Sequence, residues 1–459
     1  MSDDVVRGRA RRLFSLGTLS TSVGGSYLWE LVRRPFRSTS DAETSLLEAH
    51  IRNAQRLVEG STELRGAFTK LVQMLSMRQD ILPQEALDVL AAVRSSVPPM
   101  PFARVRTVLE DELGGAVEAR FAAFDPVAVA AASLGQVHRA TLPDGTLVAV
   151  KVQYPGIDRS VRQDVQNLKA LIRIMTGIAR DVLRQDVDTR EVARELEARL
   201  QEELDYRREA ANLDRFRALF ADDAEVVVPH VHADYTTARV LTMDWMDGYP
   251  IEQIMGPGID ASLKDWAAMK FFRLFFRQLL EFGEMQTDPH PGNYLLTHHP
   301  HLVMLDFGSV CVLEPDVRRG YVRLARALAA NDDGEIGAAG LALGFVRRDP
   351  TTFVRLMRLA AEPLMCDALF DPRDYDVVAR ATEALQIKLG SEPVQAPGHH
   401  VFISRALIGM DGYLRAFGTV RNWHRLFREI LDDLPADSGS VDEGVAGLRE
   451  SGGGEEPPG

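Results

Sequence analysis

Residues Gln286 to Gly308 read Q-T-D-P-H-P-G-N-Y-L-L-T-H-H-P-H-L-V-M-L-D-F-G. Asp288 precedes Asn293 by five positions, and Asn293 precedes Asp306 of the Asp306-Phe307-Gly308 triplet by thirteen. Phosphoryl transfer asks a protein mainly to position groups and neutralise charge, which takes a carboxylate near the acceptor oxygen and an amide and a second carboxylate on a metal ion. Asp288, Asn293 and Asp306 fill those roles in that order. Both patterns are short, and the rival reading is a Pro/Gly-rich turn leading into a strand, V-M-L. The rest of the chain decides between them.

At 459 residues the chain exceeds what one hydrophobic core usually supports, so two domains or one elaborated two-lobed domain is expected. A hydrophobic content of 46% and a charged content of 26% are ordinary for a folded protein. The net charge of −13 disfavours nucleic acid as a partner. Cys311 and Cys366 are too few for a disulfide framework or a cysteine metal site, so a reducing, cytoplasmic setting is the default.

Arg7, Arg9, Arg11 and Arg12 precede an uncharged stretch from Leu13 to Trp29, and Arg33, Arg34 and Arg37 follow it. At 17 residues that stretch is at the lower limit for crossing a bilayer; it reads as a mobile or surface-packed segment or a peripheral membrane contact, ahead of a spanning helix. Ser40-Asp41-Ala42-Glu43 fits a helix capping box, and Leu46, Leu47, Ile51, Ala54, Leu57 and Val58 recur behind it at helical spacing. Further helices are expected up to Pro98-Pro99 and from Phe102 to Leu113, the last ending at Gly114-Gly115.

From Phe124 the character changes. A-V-A-A-A-S-L-G-Q-V-H (128–138) leads through R-A-T-L to a Pro143-Asp144-Gly145 turn and then T-L-V-A-V-K-V-Q-Y, a strong hairpin signal. V-A-V-K matches the kinase strand whose lysine, here Lys151, holds nucleotide phosphates. A kinase then needs a helix glutamate for that lysine. A helix expected from Thr189 to about Leu219, containing E-E-L-D-Y-R-R-E-A-A-N (202–212), is the candidate. Val226 to Pro229 and Ala238 to Met243 read as two strands leading to a hinge at Asp244-Trp245-Met246-Asp247-Gly248, whose backbone would meet adenine. Beyond it, Trp266 to Phe282 reads as an apolar helix beneath the catalytic loop. Helices follow over 317–330, 334–343, 351–364, 379–389 and 402–417. The Gly-, Glu- and Pro-rich end reads as a disordered tail.

With these residues in view, the chain resembles the UbiB/AarF family of atypical protein-kinase-like proteins from about Thr39 to Leu434. The motifs that carry this are the Ala-rich loop, V-A-V-K, E-L-D-Y-R-R-E-A-A-N, D-P-H-P-G-N, D-F-G, and Lys70-Leu71-Val72-Gln73 with S-M-R-Q-D-I-L-P behind it, which looks like the family's K-x-G-Q element. The resemblance implies an α+β, atypical bilobal kinase-like fold. Its parts would be an N-terminal segment (1–38), a helical extension (39–120), an N-lobe (121–246), a mostly helical C-lobe (247–434) and a tail (435–459). It implies that Lys151 pairs with Glu209 and that Ala131, Ala132, Ser133, Leu134, Gly135, Gln136, Lys151, Met243, Asp244 and Met246 contact ATP. Asp288 would act at the acceptor, and Asn293 and Asp306 would hold Mg²⁺. Lys70 and Gln73 would meet Glu203 and Asp205 across the site, occluding a protein substrate. Activity is then expected as slow ATP hydrolysis or small-molecule phosphorylation in isoprenoid quinone or lipid metabolism, with an isoprenoid lipid, a membrane surface or a protein as partner.

Two departures stand out. Val72 replaces the glycine of K-x-G-Q, and Gln286-Thr287-Asp288 replaces H-A-D, removing a histidine that braces the catalytic loop. These keep a second reading open, a pseudokinase-like module that uses nucleotide as a switch. A zinc site from His290, His298, His299 and His301 is a third reading, which a hairpin loop equally explains.

Overall fold

The computed structural model describes residues 100–132, 134–157, 204–374, 394 and 397–435. The N-terminal segment, the helices expected before Pro98, the one expected over 379–389, the tail beyond 435, and Lys70, Gln73, Ser133 and Glu203 lie outside them. The described residues fall into two compact units. One takes those up to Asp214 together with Pro229–Met246; the other takes Arg215–Val228 together with those from Asp247.

In the first unit, α1 (Phe102–Leu113) starts after Pro101 and stops where Gly114 turns left-handed at φ 68°, the conformation glycine adopts without steric cost. Its buried stripe of Val105, Val108, Leu109 and Leu113 has helical spacing and packs with Val117 of the short α2 (Val117–Arg120) and with Phe121. Val148, Val150, Val152 and Val240 of the sheet complete that cluster, so α1 shares one core with the strands.

The sheet orders β1 (Ala123–Phe124), β3 (Gly135–Thr141), β4 (Leu147–Gln153) and β6 (Val240–Asp244), with β2 (Ala130–Ala132) paired to β3. The β3–β4 hairpin closes over the Asp144-Gly145 turn, where Gly145 has φ 91° and the Asp144 carboxylate accepts the Thr146 N–H. The helix expected from Thr189 to about Leu219 is not continuous: Leu204 and Asp205 are not helical, and α3 (Tyr206–Leu219) follows them. The cause is local, since Asp205 Oδ1 accepts the Arg207 N–H at 3.1 Å, as an N-cap does, and Gln153 Nε2 donates to the Leu204 carbonyl at 2.8 Å. The strand expected over 226–229 is the shorter β5 (Val226–Val227). It pairs in the other unit's sheet, and residues 230–232 run along β6, with His232 N–H to Thr242 O and Asp244 N–H to His230 O.

A buried polar network backs this sheet. His138 Nδ1 lies 2.8 Å from the Asp125 carbonyl, which can only accept, so Nδ1 carries the proton. Nε2 then accepts from the Gln136 amide at 2.8 Å, and Gln136 Oε1 takes the Met100 N–H. Burial lowers the His138 pKa, outweighing the carbonyl that raises it. The unfolded chain, titrating near pH 6.5, therefore binds the proton first. The network's stability is present above that pH and is lost as pH falls toward the folded value. Melting measured at about pH 7.5 and 5.5 should drop less in His138→Gln than in the wild type; an equal drop would contradict this account.

The second unit carries a four-stranded sheet in the order β5, β10 (Leu302–Met304), β9 (Tyr294–Leu296) and β7 (Tyr249–Pro250), and a ribbon of β8 (Glu284–Gln286) with β11 (Val310–Val312). Around them lie α4 (Ile251–Met255), α5 (Ala261–Phe276), α6 (Pro315–Ala330), α7 (Asp333–Ala342), α8 (Thr351–Ala360), α9 (Glu362–Met365), α10 (Gly398–Phe417) and α11 (Trp423–Asp432). α5 is capped by Asp260, which accepts from Ser262 and Leu263, and widens into a π turn over Arg277–Phe282. It buries Ala267, Ala268, Phe271, Phe272, Leu274, Phe275 and Phe276, as its apolar composition predicts. The single helix expected over 351–364 is two, because Pro363 has no N–H to continue the first. α11, absent from the sequence reading, buries Trp423, Leu426, Phe427 and Ile430.

Candidate active site

The catalytic stretch lies in the second unit, and a hairpin explains its spacing. β9 and β10 pair antiparallel with Tyr294 opposite Met304, so Asn293, just before β9, lies beside Leu305 and Asp306, just after β10. The Leu305 N–H donates to the Asn293 carbonyl at 2.9 Å. The thirteen-residue separation is thus one turn and two three-residue strands, and it brings the amide to the second acid.

The loop from Asp288 to Asn293 is shaped by its own atoms. The His290 Nδ1 accepts the Gly292 N–H at 3.0 Å, Pro291 opens a single 3₁₀ turn, and Asn293 N–H returns to His290 O. Asn293 Nδ2 donates to the Asp288 carbonyl at 2.9 Å. Because that partner only accepts, the amide oxygen of Asn293 points the other way. Asp306 Oδ1 accepts the Gly308 N–H at 2.9 Å. Phe307 is fully buried against Phe216, ring centres 4.6 Å apart.

Gln286 replaces the expected histidine and itself braces the loop. Its amide donates to the Asp288 carbonyl at 2.7 Å and to the Asp306 carbonyl at 3.4 Å, joining the two acid-bearing loops. Its Oε1 accepts the Tyr294 hydroxyl at 2.9 Å, and its backbone N–H is held by Gln278 of the π turn at 2.8 Å. The adjoining Thr287 is tied to Ser309 by backbone and side chain. Burial, with Asp288 and Asp306 nearby, pushes the Tyr294 hydroxyl far above its ordinary pKa and keeps it a donor.

Sequence reasoning missed Arg405. From α10, its guanidinium lies 2.5 Å from Asp288 Oδ1. The Tyr413 hydroxyl of the same helix donates to the Pro289 carbonyl at 2.8 Å. The available signal was Gly409, a glycine inside an otherwise regular helix and midway between Arg405 and Tyr413.

In the first unit, Lys151 Nζ donates to both oxygens of Glu209, at 2.8 and 2.9 Å, and sits 5.1 Å from the centre of the Tyr206 ring. Lysine and glutamate are both buried. The Ala-rich stretch forms the β2–β3 hairpin, with Ala131 opposite Gln136 and Ala132 opposite Gly135. Gly135 is dictated by close approach: a Cβ there would stand 2.2 Å from the Val152 carbonyl oxygen. Leu134 is buried, and the Gln136 side chain turns into the core network described above. In the hinge, Met243 is buried, Met246 is half-buried, and the Asp244 carboxylate holds His232 Nε2 at 2.9 Å. Asp244 and Trp245 give their N–H groups to His230 and Leu147. Among the described residues no group of three or more His, Cys, Asp or Glu side chains is arranged to hold a metal, and His301 Nδ1 faces the His299 carbonyl at 2.6 Å.

A strand lysine locked to a helix glutamate, and an acid, amide and acid held together by a hairpin, define an atypical kinase-like protein of the α+β class. Residues 92–339 match the model of the ABC1 atypical kinase-like domain, and the chain belongs to that family, which includes the COQ8 proteins. It is 34% identical over 379 residues to atypical kinase COQ8B, mitochondrial, of Rattus norvegicus, covering 80% of this chain and 70% of the relative. It is 29% identical over 439 residues to atypical kinase COQ8, mitochondrial, of Saccharomyces cerevisiae, covering 94% and 86%. Among solved structures it is similar to Rv3197 of Mycobacterium tuberculosis, solved in complex with erythromycin, with a TM-score of 0.59 at 27% identity over 86% of this chain and 98% of that one.

Proposed function

We propose that this chain binds Mg-ATP and hydrolyses it or transfers its phosphoryl group to a small molecule, in support of isoprenoid quinone or lipid metabolism rather than protein phosphorylation. The observation that carries the reading is the joining of Asp288, Asn293 and Asp306 by the β9–β10 hairpin and the Gln286 amide. Asn293 and Asp306 offer oxygen donors alone, which suits a hard cation such as Mg²⁺. Held by those two residues, the ion would neutralise phosphate charge where it builds up during transfer.

Lys151, fixed by Glu209, would neutralise the nucleotide's phosphates, and the β2–β3 hairpin would cover them. Asp288 would orient the acceptor and take its proton. The occluding role of Lys70 and Gln73 toward Glu203 and Asp205 remains part of this reading; Asp205 Oδ1 already accepts the Arg207 N–H. The setting is cytoplasmic with peripheral membrane contact. No helix among the described residues is long and apolar enough to cross a membrane.

The test is ATP turnover by the wild type and by Asp306→Asn. Loss of an electrostatic group of this kind should cost on the order of 10²–10³ in rate. Equal turnover would remove the catalytic reading. If Mg-ATP still raised the melting temperature, the nucleotide-switch reading would take its place.

A further inference from the structure

A carboxylate that must accept a proton from one direction needs its other oxygen held. Within Asp288–Asn293 nothing does so: the loop contains no lysine or arginine, and His290 spends its Nδ1 on Gly292. The cation beside Asp288 comes from α10, 117 residues downstream. That helix meets the loop at three positions four residues apart, which places them on one face. Arg405 pairs with Asp288 Oδ1. Gly409 lets the backbone come so near that a Cβ there would stand 2.3 Å from the Pro289 ring. Tyr413 donates to the Pro289 carbonyl.

A glycine in mid-helix costs about 1 kcal/mol relative to alanine. Here the closeness of Pro289 accounts for it, and the same closeness puts the guanidinium in range of the carboxylate. A charge-assisted hydrogen bond from a planar guanidinium fixes direction as well as distance. Oδ1 of Asp288 is therefore committed. Oδ2, which makes no hydrogen bond among the described residues, is left to meet the acceptor. Arg405 also sets a positive charge beside an acid that shares its surroundings with Asp306, both acting on Tyr294.

We propose that Arg405 is the positioning residue of Asp288, presenting one carboxylate oxygen to the phosphoryl acceptor while α10 clamps the loop through Gly409 and Tyr413. This rests on the proposed Mg-ATP activity. The test uses the full chain as wild type, Arg405→Met, Arg405→Lys, Asp288→Asn, Arg405→Met/Asp288→Asn and Asp306→Asn, with kcat, KM for ATP and the Mg-ATP melting shift measured for each. Arg405→Met should lower kcat about 10- to 100-fold, as misplacement of a reacting group does. Its KM and melting shift should stay within about twofold of wild type, since the ATP-binding groups are untouched. Arg405→Lys should recover most of the rate, and Arg405→Met should cost nothing further in the Asp288→Asn background.

The inference is overturned by an equal cost in that background, by a change in KM without one in kcat, or by wild-type rates in Arg405→Met. Should Arg405→Met fail to fold, Arg405→Gln is judged by the same criteria. If the wild type and Asp306→Asn turn over ATP equally, the proposed activity has failed and the inference falls with it. If those two differ while the Arg405 variants match the wild type, only the inference falls.

Discussion

Lys151→Met is expected to destabilise the first unit by about 3–5 kcal/mol and to abolish the Mg-ATP melting shift. The substitution keeps an unbranched chain of similar length inside β4, so little packing is lost. It takes from the buried Glu209 carboxylate the ammonium that donates to both its oxygens, the nearer at 2.8 Å. A buried ion pair adds little net stability when intact, because both ions gave up hydration, yet removing one partner exposes the whole desolvation cost of the other. The double variant Lys151→Met/Glu209→Leu should therefore recover most of the lost stability while remaining unable to respond to nucleotide. Urea unfolding and melting with and without Mg-ATP measure the two effects separately. A double variant as unstable as the single one would mean that the loss came from packing around Tyr206 rather than from the broken ion pair.

Residues whose meaning is local were legible in the sequence. The Asp144-Gly145 turn, the Lys151 strand and the Asp288–Asn293–Asp306 spacing each follow from neighbours within one hairpin, where chain connectivity fixes geometry. What could not be read was partner choice across long separations. Two valines at 226–227 announce a strand but not that it will pair in parallel with β10. Asp205 sits inside a helical pattern, and only its capping bond to Arg207 shows that α3 starts there. Arg405 is one arginine among several on the C-terminal helices, and nothing nearby in sequence marks it as the partner of Asp288. The bracing by Gln286 was illegible for a different reason. Against the resemblance it stands out only as a departure from a histidine, whereas what the site needs is a donor facing carbonyls and an acceptor facing a hydroxyl.

That requirement yields the second large effect. Gln286→Leu fills similar space but strips donors from the Asp288 and Asp306 carbonyls and an acceptor from the Tyr294 hydroxyl. At roughly 1–3 kcal/mol for each buried group left unpaired, the loss should reach about 3 kcal/mol or more. Turnover should fall further than stability does, by about 100-fold in the fraction that stays folded, because the bond joining the two acid-bearing loops is gone and the acids are no longer held in register. Gln286→His is the discriminating partner. A neutral imidazole has one N–H to donate to a carbonyl and one nitrogen to accept from Tyr294, but it cannot serve both carbonyls. It should lie within about 1 kcal/mol of wild type and keep most of its rate. If Gln286→Leu, once folded, turned over ATP as fast as Gln286→His, the bridge between the loops would be a structural convenience, and the spacing of Asp288, Asn293 and Asp306 would rest on the β9–β10 hairpin alone.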